Sequence, residues 1–313
     1  MKAQILWILL INLLLSCSKA EQPESIEWTG YSTTNGLSSN YINVITVDKS
    51  GKIWIGTNDK GISVFDAKNW IYYTSEKELV NNYIRDIVID TKSRIWVVTD
   101  NKGISNYDGV NWTTYNKSNG LPSELLYTIA FDSIGNRWLA TTSGAYKYDG
   151  VSWKQITSNE TTQIAVDSKG IKWFGTWGRW IQKYDDINIT NYPNTVIANS
   201  GYRVIDALVV DLDGNIWVGT HAGGASKFDG KNWTVYTNDS LINYRVNTIA
   251  IDNKNNKWFG TDHGGLYKFD NQKWTIYKND KFNIGIGITA IAIDKDENIW
   301  IGTNGNGVLK LKE

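Results

Sequence analysis

Two histidines, His221 and His263, are the only ones in 313 residues, and they fall at nearly the same place in two successive units of a repeated pattern. Near them the chain is rich in groups that recognise ligands. Trp177-Gly178-Arg179-Trp180 lies one unit earlier, Tyr202 and Arg203 precede His221, Tyr244 and Arg245 follow it, and Asp262 adjoins His263. Exposed tryptophan faces stack on sugar rings or cations, while arginine and aspartate supply directional hydrogen bonds. Trp177, Arg179, Trp180, Tyr202, Arg203, His221, Arg245, Asp262 and His263 are therefore the candidate ligand-binding set. A carbohydrate or a peptide suits this composition. The competing reading has Trp177 and Trp180 capping a loop and packing on the short link Thr157 to Glu160.

Other chemistries find less support. Zinc needs three or four ligands in tight geometry, and nothing in the sequence fixes that around His221, His263 and Asp262. Asp211-Leu212-Asp213-Gly214-Asn215 and Asp294-Lys295-Asp296-Glu297-Asn298 look superficially like calcium loops. Neither has the glutamate such a loop needs at its twelfth place; the twelfth residue from Asp211 is Ala222. Neither a metal nor a cofactor is expected. The chain has no Gly-x-Ser-x-Gly elbow, no phosphate loop and no His-Glu-x-x-His. The enzyme alternative is the histidine pair with Tyr202 as acid or base. It lacks a carboxylate partner that the sequence can assign.

The elements that must position these residues are repeats. Trp54, Trp96, Trp138, Trp173, Trp217, Trp258 and Trp300 recur every 35 to 44 residues, and an aspartate stands six residues before each: Asp48, Asp90, Asp132, Asp167, Asp211, Asp252 and Asp294. A fixed offset held seven times marks one supersecondary unit that is repeated and stacked. In the first full unit Tyr41 to Val47 alternates as a strand, Asp48-Lys49-Ser50-Gly51 turns, and Lys52 to Thr57 forms a second strand. Gly61 to Asp66 and Asn69 to Thr74 supply a third and a fourth. Four short strands in about 40 residues predict a propeller blade.

The last unit stops at Glu313 after three strands, while Glu27-Trp28-Thr29-Gly30-Tyr31 carries the fourth-strand pattern with no unit before it. The sequence therefore predicts an all-β, seven-bladed propeller over residues 25–313, closed by the N-terminal strand completing blade seven. Such a clasp removes the open edges of an unclosed array. Thirteen of the sixteen tryptophans, seven on second strands and six on fourth strands, are expected in the core. In each blade the links between fourth and first strands share a face, here the top, with the loops between second and third strands. The Asp turns occupy the bottom.

Lysines and arginines number 32, as do aspartates and glutamates, so nucleic acid is not an expected partner. Lys2 followed by the apolar run Ile5 to Leu15 reads as a targeting segment too short to span a bilayer. Leu14-Leu15-Ser16-Cys17 resembles the lipobox of bacterial lipoproteins, with Cys17 as the lipidated residue. This divides the chain into a signal peptide, 1–17, a tether, 18–24, and the propeller. By the same resemblance Ser18, in place of an aspartate, favours the outer membrane, with the domain facing the periplasm or the surface and held through the lipid alone.

The repeated first strand ending in Asp, its turn, then Ile-Trp-Ile-Gly-Thr and Gly-Gly-Leu resembles the two-component regulator propeller repeats. Gly264-Gly265-Leu266 before Lys268-Phe269-Asp270, and Gly223-Gly224 before Lys227-Phe228-Asp229, carry the likeness best. In that family such propellers often form the periplasmic sensing part of hybrid histidine kinases and are implicated in detecting carbohydrate fragments. The resemblance thus implies a binding or sensing module and a non-enzyme. No kinase or connecting β-sandwich follows here, so signalling would run through an envelope protein partner or a sensor kinase in trans. A protein-interaction scaffold is the alternative, and a lyase-like or hydrolytic propeller a further one.

Overall fold

The computed structural model describes residues 26–178, 180–193, 204–221, 223–236, 245–278 and 287–313. Cys17 with the whole leader and tether, and Arg179, Tyr202 and Arg203, lie outside the described residues. Among them twenty-eight strands form seven antiparallel sheets of four. Six sheets use four consecutive strands. The seventh joins Ile288–Ile293, Ile299–Thr303 and Val308–Lys312 to Glu27–Tyr31. Glu27 pairs with Lys312 and Tyr31 with Val308, so the first strand is the outermost strand of the last blade. First strands of successive blades adjoin all round, and Ile42–Val47 of blade one meets Ile288–Ile293 of blade seven. The chain is a closed seven-bladed propeller.

The Trp-x-Gly-Thr motif has a steric reason. A Cβ on Gly56 would lie 2.6 Å from the Ile84 Cγ2 of the next blade's first strand. At the closing junction a Cβ on Gly302 would lie 2.6 Å from Ile42 Cγ2. The same knob and hollow thus recurs where the ring closes, so the ends meet as an ordinary pair of blades.

The six-residue offset is a hydrogen bond. The indole nitrogen donates to the Asp Oδ2 in every blade, at 3.0 Å for Trp54–Asp48, 3.0 Å for Trp96–Asp90, 3.2 Å for Trp138–Asp132 and 3.3 Å for Trp173–Asp167. The remaining three are 2.8 Å for Trp217–Asp211, 3.1 Å for Trp258–Asp252 and 2.9 Å for Trp300–Asp294. The other oxygen accepts turn amides, as Asp48 Oδ1 does from Ser50 and Lys52 at 2.8 and 3.0 Å. Burial works to raise the pKa of Asp48, Asp90, Asp132, Asp211 and Asp294, but these donors outweigh it and hold all five below the usual carboxylate value. The stretches that look like calcium loops therefore spend their first aspartate on the turn and the indole.

The second-strand tryptophans are buried, as expected. Those on fourth strands, Trp28, Trp70, Trp112, Trp153, Trp233 and Trp274, are only half-buried. They sit on the outermost strand of each blade, where one face meets a neighbour and the other meets water. The expectation of thirteen core tryptophans is corrected to seven buried and six at the rim.

Candidate functional site

In every first strand the pairing register slips by one residue near the top, between Ile42 and Val44 in blade one and at the same place in the other six. A bulge leaves one residue out of the ladder and re-aims its side chain. The seven residues so released are Asn43, Arg85, Tyr127, Thr162, Asp206, Asn247 and Thr289, one per blade, around the mouth of the central channel.

Four of them clamp the next blade. Asn43 Nδ2 donates to the Ile84 carbonyl at 2.8 Å, Thr162 Oγ1 to Ile205 at 2.7 Å, Asn247 Nδ2 to Ile288 at 2.8 Å and Thr289 Oγ1 to Ile42 at 2.6 Å. Arg85, Tyr127 and Asp206 do not bond that carbonyl and pair with side chains instead. The Arg85 Nε donates to Asp100 Oδ1 at 2.7 Å, and its guanidinium lies 5.7 Å from the Tyr127 ring and 5.8 Å from the Tyr83 ring. Tyr127 donates its hydroxyl to Glu160 Oε1 at 2.5 Å. Burial, then the bond and the charge of Glu160, push that phenol up to about 12. At neutral pH it is a donor and not a base. Asp206, nearly buried, receives both forks of Arg245 at 2.9 Å and lies 3.5 Å from the His221 Nδ1.

Trp177 completes the rim. It follows the second strand of blade four, Lys172–Thr176, bridges to Val204 and is 56% exposed. With Tyr83, Arg85, Tyr127, Asp206, His221 and Arg245 it borders a cavity of about 430 Å³, floored by Asn43, Thr162 and Gln163. This volume is in the range of small-molecule sites. This cavity adjoins a second one of about 250 Å³ in the channel, lined by Asp86, Thr128, Thr248 and Thr289 among others.

The structure thus gathers three residues of the candidate set, Trp177, His221 and Arg245. Trp180 is exposed at the start of the next strand, but away from this cavity. Asp262 is engaged by Asn247 Nδ2 at 2.6 Å, and His263 stands exposed beside it; neither lines this cavity. Arg85, Tyr127 and Asp206 were not in the set. Their signal was a large charged or aromatic residue in second place of a first strand, where other blades carry Asn or Thr. Among the described residues no three His, Cys, Asp or Glu side chains gather as a metal group.

Asp86 lines the channel and accepts from Thr128 Oγ1 and the Ile87 amide. Desolvation outweighs both and lifts its carboxyl to about 6. A raised carboxylate pKa means that the fold favours the neutral form. The associated stability is complete below the unfolded value, about 4, and is lost as pH rises through about 6. Asp86→Asn keeps one acceptor for the Ile87 amide, turns its NH2 to Thr128 Oγ1, which can accept, and never ionises. It is expected to gain about 1–2 kcal/mol at pH 8 and almost nothing at pH 4, read by urea denaturation at the two pH values.

Residues 36–59 and 284–305, the stretches on either side of the closing junction, match the family model described as two component regulator propeller. Those two stretches match two-component regulator propeller repeats. Among solved structures, the chain superposes on the extracellular domain of a protein assigned as a hybrid two component system of B. thetaiotaomicron, with a TM-score of 0.77 and 21% identity over 91% of this chain. The chain spans 41% of that relative's length. Virginiamycin B lyase from Staphylococcus aureus matches with a TM-score of 0.73 and 16% identity over 92% of this chain and 100% of its own. YCF48 bound to D1 peptide matches with a TM-score of 0.69 and 13% identity over 93% and 98%. At such identities the likeness is one of fold, and that fold is shared by sensors, an enzyme and a peptide binder. No curated protein matches the chain in sequence.

Proposed function

We propose that the chain is an extracytoplasmic sensing propeller that binds a carbohydrate at the mouth of its channel. One observation carries this reading. Three of the seven bulge residues are charged or aromatic and pair with side chains in place of the next blade's carbonyl, and all three border the cavity beside the exposed Trp177. Two arginines, one carboxylate and three aromatic rings around one hollow offer stacking faces and paired donors and acceptors, the groups that hold sugar hydroxyls. The extracellular location of the B. thetaiotaomicron neighbours supports an envelope role. No helix among the described residues is long and apolar enough to cross a membrane. Lipidation at Cys17 would supply the anchor to the outer membrane, and the signal would pass to an envelope protein or a kinase in trans.

Arrays of cell-wall glycans, dietary glycans and peptides, probed with the labelled mature chain, test the ligand class. Selective glycan binding is expected. Binding confined to peptides would replace the carbohydrate, and silence on every array would favour the scaffold reading.

A second reading rests on the Asp206–His221 contact, which supplies the carboxylate partner that the sequence could not assign. In it His221 takes a proton from bound substrate, oriented by Asp206. Chain cleavage of any array hit, abolished in His221→Ala, would establish it; an intact hit after prolonged incubation would dismiss it.

A further inference from the structure

The junction between blades two and three differs from its counterparts. At four junctions a tyrosine ending one blade's fourth strand touches the third-strand ring of the next blade. Tyr31–Phe65, Tyr73–Tyr107, Tyr192–Phe228 and Tyr236–Phe269 have centroid distances of 5.1, 5.9, 4.7 and 5.4 Å. The equivalent rings Tyr115 and Tyr148 do not meet. Arg137 stands between them, 4.6 Å from the Trp96 ring, 5.6 Å from Tyr115 and 4.9 Å from Tyr148. The tryptophan of blade three leaves the gap open. A Cβ on Gly36 would strike the Trp70 ring at 2.4 Å, whereas one on the equivalent Gly120 meets nothing within 4 Å, so Trp153 does not reach that link. The result is a cavity of about 420 Å³ with Leu121 and Ile129 among its apolar walls.

Arg137 opens the second strand of its blade, where Ile53, Ile95, Ile216 and Ile299 stand in four others. Two blades carry lysine there, and each lysine has a polar partner on the turn before its fourth strand. Lys172 Nζ lies 2.5 Å from Asp186 Oδ2, and Lys257 Nζ 2.7 Å from Asn271 Oδ1. In blade three that partner position is Gly150. The Arg137 side chain makes no hydrogen bond or ion pair among the described residues, and no acid lines the cavity. A guanidinium held between aromatic faces keeps its charge and its bidentate fork.

We propose that this junction is a second binding site, for a small carboxylic acid with an apolar body. The carboxylate would pair with Arg137 in the place Asp186 occupies in the next blade, and the apolar body would lie between Trp153 and the Gly120 link.

The test titrates 3-phenylpropionate and its neutral amide into the mature chain, reading the indole N–H signals by NMR. The acid is expected to bind with a Kd below about 1 mM, the amide about tenfold more weakly or not at all. Arg137→Ile restores the residue of four other blades and should weaken acid binding by about tenfold or more. Gly150→Asp supplies the missing carboxylate within the chain and should do the same; Asp186 already adopts the left-handed conformation needed, at φ 72° against 102° for Gly150. Equal binding of acid and amide, unchanged acid binding in both variants, or no shift at about 5 mM acid overturns the proposal.

Discussion

Removing residues 26–31 is expected to cost the propeller its cooperative fold at ordinary temperatures, or at least 10 °C or so of Tm. Glu27–Tyr31 makes a full five-residue ladder with Val308–Lys312. Tyr31 stacks on Trp300 at 5.5 Å and lies 5.1 Å from Phe65 and 6.0 Å from Trp70. One short strand therefore belongs to the core between blades seven and one as well as to the outer edge of blade seven. Its loss exposes Val308, Leu309 and Leu311, all at 1% exposure or less, on an unpaired edge. Burial of one aromatic side chain is worth about 3–5 kcal/mol when truncated, and an open edge recruits other chains. Calorimetry and size-exclusion chromatography should show a lowered or absent transition together with aggregates. An unchanged Tm would mean that the ring does not depend on its clasp.

Asp211→Ala should be among the most destabilising single changes, costing about 4 kcal/mol. Asp211 accepts from the Trp217 indole, the Asn215 amide and the Asn215 side chain, and it lies 3.4 Å from the Nζ of Lys257. The Lys257 side chain is fully buried and that of Asp211 is 1% exposed. Truncation strands an indole N–H and takes the only carboxylate among the described residues from a buried ammonium, which keeps the Asn255 carbonyl, Asn271 and the face of the Trp217 ring. Asp48→Ala removes the same turn and indole bonds with no buried lysine nearby, and should cost about 2 kcal/mol. The difference between the two, taken from denaturant midpoints, isolates the buried lysine. Equal losses would show that Lys257 is satisfied without Asp211.

The sequence displays the ring because its cause is local and repeated. The Trp54–Asp48 offset is a bond within one turn, so it appears as spacing. The clasp is visible because Trp28 and Tyr31 keep the fourth-strand pattern with no blade before them. Residues of the mouth are harder to see. Arg85, Tyr127 and Asp206 occupy what looks like the polar place of an alternating strand. Only the bulge, whose register slip depends on the neighbouring strand, turns them to the channel. Asp262 and His263 occupy the equivalent loop of blade six, where Asp262 is turned to Asn247, and neither borders that hollow.

The most direct test of a ligand site at the channel mouth is the affinity of one array-selected glycan, measured by calorimetry for the native chain, Arg245→Ala and Trp180→Ala. Arg245 shares the mouth with Asp206 and Trp177, whereas Trp180 is as exposed and aromatic as a binding residue should be yet lies outside it. The expected result is a loss of about 30-fold or more in Arg245→Ala and less than about twofold in Trp180→Ala. Full affinity in Arg245→Ala with loss in Trp180→Ala would contradict it and move recognition off the channel to the outer loops.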